Sequence, residues 1–511
     1  MTREPRLKFI IAGASAAGLA SAIALKSAGH DVLVLEKEAQ LGGPEAIPTG
    51  GVRLPPNGCK ILFDWGLEEE IRANAVVGEG FTVWKYDDKC SETGRDYIGT
   101  HRWDQELLSD ARGDFLQMRH GDLLRILHDA ALRAHTRPPS RLPGLSSRSP
   151  SMKPRLKSTD PPPRPVNVRF GAEIVDADFT ACTVTLRSGE VLQADVLIGA
   201  DGARGFFRQR MMAEEACPGE DEPRGLAVYS AIIPKARALT DPEIAKLYEY
   251  PQSQMVSFWM GPNRGAQAFL SGESQDVVFW VYTPDATQDG SWTEPAELRI
   301  TDVLGDCDQL IARLAALAGP ATCVQIKNSY DLERWVSDRG NVLVLGEAAH
   351  PYPTISLHTY SIAIEDGAFI GKIFSHTRNP SRIREFLNAF EETRKPRCLH
   401  ICQSEKQYID VMALPDGPMQ AGRDASMRAN EAAGRNVMDT GDADALQEMW
   451  DDMRMVFGYD PADAADEWWI SWGRLRDSPM VSKDKRSERN GYTPITEYDN
   501  SGSLALRVEI L

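Results

Sequence analysis

The chain has 511 residues, of which 42% are hydrophobic and 26% are charged. The length indicates two or three domains. The proportions are typical of a soluble globular protein, and they exclude a disordered chain, a collagen-like rod and a coiled coil. The formal net charge of −17 repels phosphate backbones and anionic lipids, so neither nucleic acid nor a charged membrane surface is an expected partner.

The cysteines and histidines give no sign of a metal site. The eight cysteines include no CxxC pair, and the nine histidines form no HExxH motif, so no residue is assigned to a metal. The N-terminal residues lead into a predicted strand rather than a signal peptide, and no apolar run reaches 18 residues. We therefore expect a reduced, cytoplasmic protein without an integral membrane segment, either a monomer or a homodimer.

The N-terminal segment has the pattern of a dinucleotide-binding unit. An apolar strand ends in GASAAG, and an Ala-rich helix and a second strand follow. In such a unit Gly13 forms a tight turn, Ser15 is small enough to let a diphosphate approach, and Gly18 permits close packing of the helix on the strand. Glu36 ends the second strand, where an acidic group binds ribose hydroxyls.

Three later regions complete the predicted organisation. Residues 134–165 are rich in Pro, Ser and basic residues, a composition that predicts a disordered insertion. Residues 225–285 contain strand-like runs separated by turns and predict an antiparallel sheet. From about residue 380 onward the pattern predicts charged helices.

Two further strand ends carry acidic motifs. Asp201-Gly202 follows a strand, and Gly346-Glu347 follows the strand in NVLVLGEAAHP and precedes a helix that contains AIEDG. Together with the glycine turn, these motifs resemble those of the FAD-dependent group A aromatic monooxygenases, the family of the salicylate and para-hydroxybenzoate hydroxylases, and especially its fungal biosynthetic members. The resemblance covers residues 7–400 apart from the insertion.

The resemblance implies an α/β fold. A Rossmann-like FAD-binding domain would carry an inserted antiparallel-sheet substrate domain and a helical C-terminal region. The expected FAD-binding domain comprises residues 1–80, 81–215 and 331–400, the substrate domain residues 216–330, and the C-terminal region residues 401–511.

The resemblance also implies which residues hold FAD. Arg119 corresponds to an arginine on the ribityl or phosphate side of the flavin, and a helix from about Thr359 to Phe374 would direct the positive end of its dipole at the reduced flavin. The predicted FAD-binding residues are Gly13, Ser15, Gly18, Glu36, Gly50, Gly51, Arg119, Asp201, Gly202, Glu347, Leu357 and Thr359.

The family's chemistry sets the expected function. NAD(P)H reduces the bound FAD, O2 reacts with the reduced flavin, and oxygen passes to an electron-rich ring, while the protein supplies binding and orientation. The resemblance therefore implies hydroxylation or epoxidation of an aromatic or polycyclic secondary metabolite, with NAD(P)H and O2 as co-substrates.

Several positions depart from the family's pattern. Leu357-His358-Thr359 replaces a Gly-Gln-Gly sequence whose glycines let the backbone approach the flavin ring. Glu347 replaces the aspartate of the family's GD motif. Ser230 follows Tyr229 where many fungal members have Tyr-Arg, so a positive charge is missing at that position.

These departures leave three alternatives open. The first is sequence drift in a monooxygenase that keeps its FAD site. The second is a redox-neutral or atypical flavoprotein-fold enzyme, such as an isomerase or cyclase, in which His358 acts as an acid or base near the flavin. The third is a degenerate protein that only binds, which the retained FAD motifs argue against. Tyr229 is the other candidate catalytic residue, and His350 is expected to be structural.

Overall fold

The computed structural model describes residues 6–43, 50–87, 95–133, 165–215, 219–284, 290, 292, 294–353, 355–440 and 442–476. The predicted insertion at 134–165 lies outside these ranges except for its last residue. Within the described ranges, none of the helices combines the length and the apolar character that crossing a bilayer requires.

Eighteen strands are present in the described residues. They are β1 (Lys8–Ala12), β2 (Asp31–Leu35), β3 (Gly51–Leu54), β4 (Ala75–Gly78), β5 (Gly80–Lys85), β6 (Tyr97–Arg102), β7 (Phe115–Arg119), β8 (Asn167–Arg169), β9 (Ile174–Asp178), β10 (Thr183–Leu186), β11 (Val191–Gln193), β12 (Val196–Gly199), β13 (Glu222–Ile233), β14 (Met255–Gly261), β15 (Arg264–Ser271), β16 (Asp276–Thr283), β17 (Thr322–Asn328) and β18 (Val342–Val344).

The α-helices of the same residues include three four-residue segments as well as longer elements. They are α1 (Ala16–Ser27), α2 (Pro56–Asp64), α3 (Glu68–Ala73), α4 (Gln105–Ala111), α5 (His120–Leu132), α6 (Phe206–Glu214), α7 (Lys235–Ala238), α8 (Pro242–Ala245), α9 (Ile300–Val303), α10 (Gln309–Leu317), α11 (Thr359–Ile373), α12 (Ile383–Met412), α13 (Pro418–Ala432), α14 (Ala443–Gly458) and α15 (Pro461–Ser471).

A parallel five-stranded sheet forms the centre of the nucleotide-binding part. Its strand order is β18-β12-β1-β2-β8, and every pair in it is parallel. Because parallel strands are covered on both faces, β1 and β12 are almost entirely apolar and buried. Helix α11 packs closely on α1, because a Cβ added to Gly367 would lie only 2.6 Å from the backbone of Ala20. The predicted α/β dinucleotide-binding fold is therefore confirmed.

A seven-stranded sheet stands beside this unit, in the order β17-β13-β16-β15-β14-β5-β6. Strands β13 to β16 pair in the antiparallel manner predicted for residues 225–285. The sheet also includes β5 and β6, which the sequence assigns to the FAD-binding domain, and β5 pairs with β14 in parallel. The assignment of β5 and β6 to the FAD-binding domain therefore differs from the strand pairing in the structure.

A small sheet, β3-β7-β4, lies between the two large ones. In β3 the side chains of Val52 and Leu54 are buried in the core of the parallel-sheet unit. Residues on the other face of a strand alternate with these, and Gly51 accordingly faces the seven-stranded sheet, where a Cβ would lie 2.6 Å from Val278. Strand β3 therefore joins the two units.

The described part of the C-terminal region, up to residue 476, is helical, as predicted. Helix α12 has 30 residues and crosses the expected boundary at residue 400 without interruption, so the nucleotide-binding part and the C-terminal region share one element. Trp468 and Trp469 of α15 pack on the main core, whereas Trp472 is exposed.

Candidate active site

The turn after β1 has the geometry predicted for a diphosphate-binding loop. Gly13 has a φ of +101°, and a Cβ there would lie 2.5 Å from the carbonyl oxygen of Ala200. A Cβ on Gly18 would overlap the carbonyl oxygen of Gly13. Ser15 caps α1, because its Oγ accepts a hydrogen bond from the Gly18 N–H at 3.2 Å. Both glycines are therefore required by close approach of the backbone.

Glu36 lies beside this turn, as predicted. Its Oε2 accepts a hydrogen bond from the Ala14 N–H at 2.8 Å, and its Oε1 accepts one from the Glu38 N–H at 2.9 Å. The carboxylate is thus held in place at the carboxyl end of β2. Its position next to the first turn of α1 is the one that a ribose-binding acid occupies in this type of unit.

Asp201 adjoins the same turn from the neighbouring strand β12. A Cβ on Gly13 would lie 3.1 Å from the Cα of Asp201. One carboxylate oxygen of Asp201 accepts a hydrogen bond from the Phe207 N–H at 3.0 Å, and the other is buried without a partner in the described part of the chain. Burial raises the pKa of Asp201 to about 6. Gly202 has a φ of +86°, which suits a glycine.

The motif at Gly346-Glu347 closes on the same place. Gly346 has a φ of +60°, and a Cβ on it would lie 2.6 Å from Ala17 in the first turn of α1. The N–H of Gly346 donates to Asp366 at 3.0 Å, which ties the motif to α11. The structure therefore brings three motifs that are far apart in sequence to one end of the parallel sheet.

Glu347 points into a groove at this end. Its side chain is exposed, yet desolvation by the surrounding protein raises its pKa, which is the behaviour of an acid inside a narrow cleft. Tyr360 is close enough for the charge of Glu347 to raise its pKa further. The ring of Tyr360 lies 5.6 Å from that of His120, whose pKa is lowered to about 4 by burial. These three side chains line the groove.

Three other predicted FAD-binding residues lie toward the seven-stranded sheet. Arg119 forms an ion pair with Asp276 of β16. Gly50 and Gly51 allow close approach of β3, since a Cβ on Gly50 would lie 3.2 Å from the Oγ of Ser230. Close packing of β3 therefore explains why Gly50 and Gly51 are glycines. That these two residues and Arg119 contact FAD stays a prediction.

The segment that departs from the family's glycine sequence is packed rather than open. His358 is buried, its ring stacks on Phe457 with centroids 5.6 Å apart, and burial lowers its pKa to about 3. Leu357 packs in the same cluster, and Thr359 is the first residue of α11. The proposed acid–base role of His358 is not supported, because a neutral imidazole with this pKa is a weak base and is enclosed by protein.

The candidate catalytic residue Tyr229 lies on the face of the seven-stranded sheet that packs against α10, opposite to the face of Trp280. Tyr229 and Trp259 are fully buried in a cluster with α10. Trp280 belongs to the cluster on the opposite face, where its Nε1 donates to the Oγ of Ser230 at 3.1 Å. Since side chains alternate along a strand, Tyr229 cannot share a pocket with Ser230, and this placement argues against a catalytic role.

Sequence reasoning missed a buried charge network beneath the groove. The carboxylate of Glu365 accepts hydrogen bonds from Asn57 at 2.7 Å and from Arg397 at 2.8 Å. Arg394 lies 2.7 Å from Glu365 and 2.9 Å from Asp366, and all three side chains have no solvent exposure. Although burial favours the neutral acids, these cations hold the pKa of Glu365 below its usual range. The network fixes α11 against α2 and α12.

His350 completes this network. Its Nε2 lies 2.6 Å from Asp366, and although burial opposes protonation, the neighbouring Cys398 and Asp366 raise the pKa of His350 to about 10. The ligand atoms of these three residues lie within 4.8 Å of one another, but Arg394 donates to the same Asp366, so the cluster is already supplied with cations. His350 is structural, as expected.

The stability of the protein should therefore depend on the charge of His350. The folded-state pKa of about 10 lies above the ordinary value of 6.5, so the stabilisation is fully present below about pH 6.5 and is lost as the pH rises toward about 10. We expect wild type to be more stable than His350→Gln at pH 6, with a difference that shrinks steadily up to pH 10. Urea unfolding of both proteins across this pH range measures the difference in their free energies of unfolding. A difference that stays constant with pH would contradict the charged state of His350.

A second missed residue is Arg53, in the middle of β3. Its guanidinium carbon lies 5.4 Å from the ring centroid of Trp280 and 5.8 Å from that of Phe258. The signal that could have found it is a charged residue between the buried Val52 and Leu54, at a position that faces away from the core of the parallel-sheet unit.

The residues at the end of the parallel sheet fit FAD. The glycine turn offers backbone N–H groups at the start of α1, Glu36 is placed for a ribose, and the buried Asp201 oxygen without a partner can accept a hydrogen bond from a ligand hydroxyl. No comparable set of motifs occurs elsewhere in the described residues.

Comparison with known proteins agrees with this site. The family model described as "FAD binding domain" matches residues 6–404. The FAD-dependent monooxygenase OpS4 of Beauveria bassiana (strain ARSEF 2860) is 26% identical over 467 residues, which is 91% of this chain and 97% of that protein. Hispidin-3-hydroxylase of Neonothopanus nambi is 26% identical over 80% of this chain and 90% of its own length.

A solved structure shows the same fold. A salicylate hydroxylase in complex with its substrate superposes with a TM-score of 0.61 at 14% identity, over 91% of this chain and 98% of that one. The relatives are named monooxygenases and hydroxylases, so the alternative of a redox-neutral isomerase or cyclase is not favoured.

Proposed function

This chain belongs to the FAD-binding-domain family of flavin-dependent aromatic hydroxylases, and from that premise we propose that it uses NAD(P)H and O2 to hydroxylate or epoxidise an aromatic or polycyclic secondary metabolite. The observation that carries the proposal is the convergence of Gly13, Glu36, Asp201 and Glu347 at one end of the parallel sheet. Bound FAD supplies the redox chemistry.

The protein's own residues bind and orient in this proposal. The N–H groups at the start of α1 would hold the diphosphate, and Glu36 would hold the adenosine ribose. Helix α11 directs the positive end of its dipole at the groove that Glu347 and Tyr360 line, which favours negative charge there. The network of Glu365, Asp366 and Arg394 holds that helix in place.

The aromatic substrate class is supported by the face of the seven-stranded sheet that Arg53 of β3 contacts. Phe258, Phe269, Trp280 and Tyr282 are buried together on this face, and aromatic side chains suit packing against a planar ring. Relatives whose names specify a substrate act on aromatic compounds, among them the hispidin hydroxylase and a 3-amino-4-hydroxybenzoate 2-monooxygenase of Streptomyces cremeus.

The test is a direct assay of cofactor and product. We expect the purified protein to be yellow with about one FAD per chain, to oxidise NADH or NADPH faster when a suitable phenolic substrate is present, and to transfer an oxygen atom from labelled O2 to the product.

An anaerobic assay serves as the control. Turnover without O2 and without NAD(P)H would overturn the monooxygenase proposal and identify an isomerase or cyclase. A protein that stays colourless after reconstitution with FAD would contradict the cofactor assignment.

A further inference from the structure

Arg53 extends from β3 toward the seven-stranded sheet. On β3, Val52 and Leu54 point into the core of the parallel-sheet unit, and Arg53 points the other way, with Gly51, toward the seven-stranded sheet. Gly51 allows the strand to approach Val278 closely. The long side chain of Arg53 then reaches the rings of Trp280 and Phe258.

The guanidinium group has few protein partners. Its Nη2 donates to the carbonyl oxygen of Ile355 at 3.0 Å, and its Nε is buried without a hydrogen-bond partner. Within the described part of the chain, no carboxylate forms an ion pair with Arg53. Since a guanidinium offers five N–H donors and stays charged at neutral pH, a half-buried cation is left with unused donors.

The carboxylate that acts on Arg53 electrostatically, Glu405, is already engaged elsewhere. Glu405 of α12 accepts a hydrogen bond from the His358 N–H at 2.9 Å, and burial raises the pKa of Glu405 to about 7. The hydroxyl groups of Tyr282 and Tyr408, together with Glu405, are near enough to act on the guanidinium electrostatically, and neither tyrosine is ionised at neutral pH. Partial charge on Glu405 therefore offsets Arg53 only incompletely.

A buried cation without a full counter-charge is costly unless a ligand supplies one. The rings of Trp280 and Phe258 stand beside Arg53, so a ligand that combines an anionic group with a flat ring would satisfy both features at once. The same guanidinium is bonded to Ile355, four residues before α11 begins. An anion bound to Arg53 would therefore lie close to the start of the helix that faces the proposed flavin groove.

We propose that Arg53 binds the substrate beside Trp280 and Phe258 and that it selects an aromatic substrate with an ionised carboxylate. The inference rests on the proposed function, since it takes the space beside α11 to be the substrate site. It also accounts for Ser230: the positive charge absent from β13 is supplied from β3, on the same face as Trp280.

The test compares acids with neutral amides of the same shape. Benzoate and 2-naphthoate are titrated into the FAD-loaded enzyme, with benzamide and 2-naphthamide as matched neutral probes, and binding is followed by the flavin absorption spectrum and by calorimetry. We expect wild type to bind at least one acid about ten-fold more tightly than its amide. In Arg53→Gln the acid should bind more weakly while the amide binds as before, so that the two affinities become about equal. Arg53→Lys keeps the positive charge and should retain part of the preference for the acid.

Arg95→Gln provides the matched control. The guanidinium of Arg95 also lies over an indole ring, at 4.0 Å from the centroid of Trp84, but it is near Asp308 at 3.4 Å. We expect this variant to keep the acid preference of wild type. Equal weakening of acid and amide in Arg53→Gln would show that Arg53 only holds the loop at Ile355, and would overturn the inference.

The outcomes separate this inference from the proposed function. If neither acid binds more tightly than its amide to a wild-type enzyme that carries FAD and oxidises NAD(P)H, only the role of Arg53 is overturned. If wild type carries no FAD, the proposed function fails whatever the probes do. If Arg53→Gln does not fold, the comparison of acid with amide binding in wild type and in Arg53→Lys still tests the role of Arg53.

Discussion

Replacing Gly13 with alanine is expected to weaken FAD binding strongly. The added Cβ would lie 2.5 Å from the carbonyl oxygen of Ala200 and 3.1 Å from the Cα of Asp201, and the φ of +101° at this position is one that side chains rarely adopt. Both neighbours are backbone atoms of the segment that follows β12, so they cannot rotate away as a side chain could. The turn must open instead, which moves the N–H groups that would meet the diphosphate. We expect a cost of about 3 kcal/mol, or about a 100-fold loss of FAD affinity.

Gly189→Ala is the matched control for this substitution. Gly189 also has a positive φ, +86°, but a Cβ there would meet no atom within 4 Å. The control therefore carries similar backbone strain without the clash, and its FAD affinity should be that of wild type. Titration of FAD into the apoprotein, followed by flavin fluorescence, measures both. Unchanged affinity in Gly13→Ala would place the dinucleotide elsewhere, and a circular dichroism spectrum excludes loss of fold.

The nucleotide-binding motifs were open to prediction because their signals are local. The turn between β1 and α1 needs Gly13 and Gly18 for reasons of close approach, and Glu36 follows from the length of one strand–helix–strand unit. The start of α11 at Thr359 also agrees with the sequence. In each case the residues that determine the geometry lie within a few turns of one another or at a strand end.

The parts that escaped prediction depend on long-range pairing. Nothing near residue 80 reveals that β5 pairs in parallel with β14, because its partner is chosen by the whole sheet. The face on which Tyr229 lies is fixed by the register between β13 and β16, and a one-residue change of register would reverse it. A sequence pattern of period two shows that two faces exist but cannot say which one meets the substrate.

The buried polar residues were hidden for a related reason. Glu365 and Asp366 are visible as an acidic pair in a helix, yet their partners Asn57 and Arg394 come from α2 and α12. Arg53 likewise stands out only as a charge in an apolar strand until Trp280 is placed beside it. Composition gives no spacing rule for such groups, since their complementarity arises from the packing of separate helices and sheets.

Replacing Arg394 with leucine is expected to be the most destabilising of the substitutions considered for this fold. Arg394 has no solvent exposure and contacts the equally buried Glu365 and Asp366 at 2.7 Å and 2.9 Å. Its loss leaves both carboxylates short of donors in a site that water does not reach, and breaking a buried pair in this way costs about 3–5 kcal/mol. The stability of Arg394→Lys should lie between that of wild type and that of Arg394→Leu, because a single ammonium group cannot bridge both acids as the guanidinium does.

The matched surface control is Arg299→Leu. Arg299 pairs with Asp302 at 2.8 Å, but its side chain is 81% exposed, so the substitution should leave the free energy of unfolding almost unchanged. Urea unfolding of the three variants at pH 7 gives the comparison, with FAD absent so that ligand binding does not mask the difference. If Arg394→Leu unfolds at the same urea concentration as Arg299→Leu, the two carboxylates must be neutralised by other means, and the network would not be what holds α11 against α12.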